Sequence, residues 1–296
     1  MKARARALAL DTPLRWVASP LHAGLTEMGV IGARLAFELA ETWTLASDGQ
    51  LARVTAIIKT FERPRATARL LESALRLFPG LRLIVADDSR EPRKLGGVET
   101  LHLPFDVGVS AGRQAALERV DTEFTWVLDD DFVLYWATRL GKVIDVLDTY
   151  AQIDIVGGPV IDLPLCIKHG AADTGLYPTQ RQPRLPIGMR FGAVTVRDKV
   201  PNFFVARTER LRRVGYDSAI KRLDHADFFT RARGNLVTTY LDSFRCLHAP
   251  TPFDRGYMRF RTDYDADAAV IRARYFGGTH EPPVDSCAAH GIEIAR

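Results

Sequence analysis

The sequence predicts an α/β domain with a mostly parallel central sheet flanked by helices. Three observations carry this. Short apolar, β-branched runs alternate with stretches whose apolar residues repeat at helical spacing, the pattern of βαβ units. Polar and acidic side chains gather directly after those runs, where parallel sheets present their chemistry. The length of 296 residues, 47% hydrophobic and 26% charged, suits one large domain with a small appendage.

Residues 1–50 read as a helical accessory segment. Leu25, Met28, Ile31, Leu35, Leu39 and Trp43 recur at helical spacing, which predicts a helix over 25–45 packed by its apolar face on the main domain. Docking to a membrane surface or a partner is the alternative. The main domain, 51–278, opens with Val54-Thr55-Ala56-Ile57-Ile58, broken at Thr60-Phe61-Glu62-Arg63-Pro64; such a run suits a buried parallel strand. Ala68, Leu71, Leu75 and Phe78 follow at helical spacing up to Pro79-Gly80, a helix stop. Leu81-Arg82-Leu83-Ile84-Val85-Ala86 is the second strand and ends in Asp87-Asp88-Ser89. Strand, helix and strand in this order bring Thr60, Arg63, Asp87 and Asp88 to one end of the sheet.

After a short strand at Leu101-His102-Leu103 comes Gly108-Val109-Ser110-Ala111-Gly112-Arg113, a turn into a helix that can offer backbone N–H groups to an anion. It lacks the full dinucleotide and P-loop patterns. Phe124-Thr125-Trp126-Val127-Leu128 reads as a buried strand ending in Asp129-Asp130-Asp131. Three adjacent carboxylates repel one another, and Mg²⁺ or Mn²⁺ is the natural compensation; a solvated acidic turn is the plain alternative. Alternation along a strand would set Asp129 and Asp131 on one side and Asp130 on the other. A helix through Leu140, Val143, Ile144 and Leu147 leads to a strand at Ile153-Asp154-Ile155-Val156. Residues 159–197, rich in proline, glycine and basic residues, predict loops and short antiparallel pieces. A strand over 200–207, a basic helix over 208–214, Asp224-His225-Ala226-Asp227-Phe228-Phe229, a strand over 237–240 and Cys246-Leu247-His248 follow. A helix over 266–275 and a flexible tail, 279–296, end the chain.

The net charge of +4 and pI near 9.0 come without a polybasic tract. That suits an anionic substrate or membrane surface and argues against nucleic acid. Cys166, Cys246 and Cys287 are odd in number and form no CxxC pair, which predicts buried thiols in a reducing cytoplasm rather than disulfides or zinc. Asp11, Pro13 and Arg15 cut the first apolar run short of a signal-peptide core, and no window is apolar enough to span a bilayer. The expected location is cytoplasmic, with the inner face of the membrane as a variant of it.

Between residues 54 and 278 nine pieces occur in a recognisable order: Lys59-Thr60-Phe61-x-Arg63, Ala86-Asp87-Asp88-Ser89, Ala111-Gly112-Arg113, Asp129-Asp130-Asp131-Phe132, Asp154-Ile155-Val156-Gly157-Gly158, Asn202-Phe203-Phe204, Arg213-x-Gly215-Tyr216-Asp217, His225-x-Asp227-Phe228-Phe229 and His248-Ala249. Together they resemble a nucleotide-sugar glycosyltransferase of the GT-A type, family 2-like, and most closely the β-1,4-N-acetylgalactosaminyltransferases. The resemblance implies a Rossmann-like GT-A fold. It also implies metal-dependent, inverting transfer of GalNAc or a related hexose from a UDP-sugar to a hydroxyl of a glycan, lipid or other acceptor. Mn²⁺ or Mg²⁺ would be held by Asp131 and His248, with Asp129 on the metal shell or ribose; a core histidine bonded to a carbonyl is the alternative for His248.

Thr60, Arg63, Asp87 and Asp88 would form the nucleotide end, Asp87 accepting the uracil N3–H that cytosine lacks. Arg113, Asp130 and Asn202 would complete the nucleotide-sugar contacts. Asp227, one methylene shorter than the glutamate of the family, is the implied base, with Asp224 in reserve and a helix N-cap as the alternative. Gln114 stands where the family has asparagine.

Three other classes fit less well. A nucleotidyltransferase carries a glycine-rich basic loop after its first strand, which Thr60-Phe61-Glu62-Arg63 is not. A haloacid-dehalogenase-like phosphatase has its nucleophilic Asp on the first strand. A non-catalytic carbohydrate-binding module leaves the carboxylates at strand ends unexplained.

Overall fold

The structure is a computed structural model and describes residues 13–38, 45–93, 95–261 and 264–277. Helix α1 (Arg15–Glu38) and the single turn α2 (Asp48–Leu51) precede the sheet. The βαβ unit read from the sequence follows as β1 (Val54–Thr60), α3 (Pro64–Leu77) and β2 (Arg82–Asp87). β1 is buried at every position, as a central strand covered on both faces must be. α3 starts on Pro64, where the missing N–H costs nothing.

β3 (Glu99–His102), α4 (Val109–Glu118), β4 (Phe124–Asp129) and the short β5 (Phe132–Val133) come next, then α5 (Leu140–Thr149) and β6 (Ile155–Gly157). The 159–197 region forms β7 (Val160–Asp162), β8 (Ile167–His169), β9 (Arg190–Phe191) and β10 (Val194–Val196), short antiparallel pairs among loops, as its composition predicts. The rest is β11 (Phe204–Arg207), α6 (Thr208–Val214), α7 (Asp224–Ala232), β12 (Thr238–Tyr240), β13 (Cys246–His248), α8 (Arg255–Arg261) and α9 (Asp265–Tyr275).

The large sheet has the order β3-β2-β1-β4-β11-β6-β12-β10-β9. Its pairings set β1, β2, β3, β4, β6, β9 and β12 in one direction and only β10 and β11 against it, so the sheet is mostly parallel. Helices cover both faces. One face packs Trp126, Phe203, Phe244 and Phe78, with Phe203 and Phe244 stacked at 4.3 Å; the other packs Ile57, Ile84, Val127 and Phe204. A second, four-stranded sheet, β5-β13-β7-β8, stands beside the carboxyl ends. Its register sets His248 opposite both Phe132 and Asp162, and that pairing shapes the site.

Three expectations are corrected. The accessory helix runs over residues 15–38 rather than 25–45, and positions 39 and 43 lie outside the described residues. Its packing face is the opposite one: Leu25, Met28, Ile31 and Leu35 are 44%, 68%, 48% and 52% exposed. Thr26 is buried, Val30 and Ala33 pack against the cluster that includes Val133, Tyr135 and Leu163, and Gly29 lies against Leu163. Small residues let the helix come close, so the face with the smaller side chains is the buried one. Third, of the two cysteines among the described residues Cys166 is exposed and Cys246 is buried. The predicted flexible tail and Cys287 lie outside the described residues.

Candidate active site

β4 delivers the carboxylate triplet to the centre of the sheet's carboxyl edge. The strand ends at Asp129, so strand alternation does not extend through the triplet, and the expected same-side pair of Asp129 and Asp131 is replaced by another division. Asp130 and Asp131 share one guanidinium: Arg63 Nη1 donates to Asp131 Oδ2 at 2.6 Å and Nη2 to Asp130. Thr60 donates to the other Asp130 oxygen at 2.8 Å. Asp129 turns to Arg113, whose other Nη donates to Asp224. The repulsion within the triplet is thus compensated by two nearly buried arginines. Burial pushes Asp130 up to about 6 against the pull of Arg63. For Asp131 burial is overcome, and Arg63 with His248 holds the carboxyl well below the usual range.

The small sheet brings the histidine. His248 Nε2 lies 3.0 Å from Asp131 Oδ2, and its Nδ1 lies 2.6 Å from Asp162 Oδ1. Asp162 in turn meets His169 Nε2 at 2.8 Å. Burial alone would lower the imidazole, but the two carboxylates drive it up to about 10. Of the two sequence alternatives for His248, the bond to a carbonyl is not the one found; both ring nitrogens face carboxylates.

A divalent cation suits this donor chemistry, since carboxylate oxygen and imidazole converge within hydrogen-bond distance and the second nitrogen is oriented by Asp162. Ligation requires His248 to give up its proton, so ion binding here releases protons. Among the described residues no group of three or more His, Cys, Asp or Glu side chains forms a ready-made ion site. Remaining positions would fall to water and to oxygens of a bound diphosphate, as is usual for Mg²⁺.

The cleft around these groups is lined by Lys59, Arg63, Arg113, Asn202, Asp224 and His248 together with the triplet. Thr60 and Asp87 face a neighbouring hollow with Thr67, Ser89 and Arg90. Asp88 lies in neither wall. It is fully buried, takes the Lys59 ammonium, and accepts from the Gly108 N–H at 3.0 Å. This corner needs two glycines. Gly108 has φ +99°, and a Cβ on Gly112 would sit 2.5 Å from Lys59 Cγ. Asp88, expected at the nucleotide end, here holds the turn before α4 in place.

Asp227, the implied base, is placed away from the cleft. It is 1% exposed. Arg231 Nε donates to it at 2.7 Å, Arg274 Nη1 at 2.8 Å and the Tyr275 hydroxyl at 2.6 Å. Arg274 and Tyr275 belong to α9, so their bonds fix α9 to α7, while Arg231 holds the carboxylate from one turn along the same helix. Its neighbour Asp224, one helical turn back, faces the cleft instead. Burial raises the Asp224 pKa, Arg113 opposes that, and Asp129 adds to it. We expect Asp227→Ala to cost about 3 kcal/mol, the usual loss on breaking a buried pair. Denaturant titration would show it as a lower midpoint at unchanged slope, with kcat of the folded protein changed by much less than Asp224→Asn changes it.

Sequence reasoning missed Asp162 and helix α8. Asp162 carries no local signal, because only sheet register sets it beside His248. α8 lays Tyr257, Phe260 and Arg261 over the cleft, and Arg63 stacks on Tyr257 at 4.1 Å. The aromatic and basic residues 257, 260 and 261 fall on one helical face, which was a readable signal.

Residues 55–209, just over half of the chain, match the model described as Glycosyl transferase family 2. The chain belongs to this family. This family 2 chain is 36% identical over 196 residues to Beta-1,4 N-acetylgalactosaminyltransferase 1 of Homo sapiens and 36% identical over 188 residues to Beta-1,4 N-acetylgalactosaminyltransferase 2 of Mus musculus, 62% of this chain and 37% of the relative in each case. It thus spans little more than a third of the length of those relatives. Among solved structures, S. aureus TarS superposes with a TM-score of 0.52 at 15% identity, over 75% of this chain and 39% of that one. TarS 1-349 in complex with UDP-GlcNAc gives 0.50 at 16%, over 66% and 58%. The fold is GT-A.

Proposed function

We propose that this family 2 chain transfers a sugar from a UDP-sugar to an acceptor hydroxyl with inversion, and that Asp224 is the base. The observation that carries the reading is one cleft lined by Asp224 together with Asp131 and His248. The kinship with two N-acetylgalactosaminyltransferases favours GalNAc as the transferred sugar.

In this reading the acceptor hydroxyl approaches Asp224. The ionised carboxylate takes its proton as the oxygen bonds to the anomeric carbon, and the bond from that carbon to the β-phosphate oxygen breaks, its electron pair leaving with UDP. Arg113 keeps Asp224 aimed at the acceptor and links it to Asp129, so the base and the donor side move as one unit. Asp131 and His248 would hold Mn²⁺ or Mg²⁺, which when bound stabilises charge on the departing diphosphate. Arg63, stacked on Tyr257, is positioned to exchange its carboxylate partners for phosphate oxygens. Asp87 and Thr60 wall the hollow proposed for uracil.

The test is UDP release from a panel of UDP-sugars with and without Mn²⁺. Metal-dependent hydrolysis fastest with UDP-GalNAc, and lost in Asp131→Ala, is expected. Equal turnover by Asp131→Ala would remove the triplet from the chemistry.

A further inference from the structure

Helix α1 carries two apolar stripes, and the domain uses only one. The unused stripe is Val17, Leu21, Gly24, Met28, Ile31 and Leu35, spaced alternately by four and three residues. Val17, Leu21, Met28, Ile31 and Leu35 are 68%, 60%, 68%, 48% and 52% exposed, and a Cβ on Gly24 would meet nothing within 4 Å. Alternation of four and three is the 3.5-residue repeat at which two helices wind around each other.

Charge separates a second helix from a lipid surface as the occupant. α1 carries Arg15, Glu27, Arg34 and Glu38, with no net charge. Glu27 and Arg34 reach inward to Arg69 and Glu72. Among the described residues the helix therefore lacks the basic border of a lipid-bound one. Leu25, 44% exposed, borders the stripe, and with it the face presents on the order of 600 Å². That is at the top of the roughly 300–600 Å² of the largest patch on an ordinary monomer, and two such faces together clear the roughly 1,000 Å² of a biological interface.

We propose that this stripe is a self-association surface through which two copies of the chain pair as antiparallel α1 helices. Packing selects the direction. A parallel pair sets Gly24 against itself and leaves a void in the seam. The antiparallel register sets Met28 over the partner's Gly24, Leu21 against the partner's Ile31 and Leu35 against the partner's Val17, so each large side chain meets a complementary position. Such a dimer is isologous and closed.

Light scattering of the full chain should give twice 33.0 kDa, and Leu21→Glu with Met28→Glu should halve that mass while turnover per chain is kept. Should the double variant lose turnover through misfolding, cross-linking decides. In a Cys166→Ser, Cys287→Ser background, Gly24→Cys and Met28→Cys proteins should form a disulfide-linked dimer when mixed and not when oxidised alone. Cross-linking of either alone overturns the antiparallel register. A wild-type chain that stays at 33.0 kDa at micromolar concentration overturns the proposal, and flotation of that monomer with anionic phospholipid vesicles would reassign the face to a membrane.

Discussion

Asp224→Asn is expected to lower kcat about 10²- to 10⁴-fold, the usual contribution of a positioned general base, while UDP affinity stays close to that of the wild type. The amide keeps the shape and a hydrogen-bonding oxygen for Arg113 but cannot take the acceptor proton. The wild-type pH profile carries a second signature. As the proposed base, Asp224 would act only when ionised, so kcat/KM should fall as pH drops through its pKa. Burial raises that pKa from the 3.8 of an ordinary aspartate, so the acid limb should lie above pH 3.8 and should vanish in the variant. An acid limb unchanged in Asp224→Asn would assign it to another group.

Arg113→Met should be the most costly substitution at the site. The guanidinium is 2% exposed and bridges Asp129 and Asp224; methionine fills much of its volume and leaves two carboxylates without their cation. Breaking a buried pair in this way costs about 3–5 kcal/mol. Loss of Arg113 also removes the main influence that opposes burial at Asp224, so the acid limb of kcat/KM should move further up in pH. A purely structural role would leave that limb in place. Arg113→Lys should recover part of the stability only, because one ammonium does not span two carboxylates as a planar fork does.

The βαβ core was legible because a strand buried on both faces leaves a continuous β-branched run, as β1 does, and because α3 is bounded by Pro64 and by Pro79-Gly80. The triplet was legible as a charge problem. Its solution was not, since Arg63 and Arg113 are distant in sequence and only the sheet order brings them to β4. The choice between Asp224 and Asp227 shows the limit most clearly. They lie three residues apart on one helix, where side chains share a face, and local sequence gives no ground for preferring either. Arg274 and Tyr275, on α9, claim Asp227, and Arg113 claims Asp224. The partnership of His248 with Asp162 rests on the register of strands only two or three residues long, which carry too little pattern to be read. In α1 the regular large-residue stripe drew the packing assignment, although the smaller residues opposite it allow the closer approach.

Calorimetric titration of UDP into the wild-type chain and into Asp131→Ala, with and without Mn²⁺, tests the central claim most directly. The account predicts Mn²⁺-enhanced UDP binding by the wild type that is strongly weakened in Asp131→Ala. A folded wild-type chain that gives no binding signal with UDP at any Mn²⁺ concentration would contradict it.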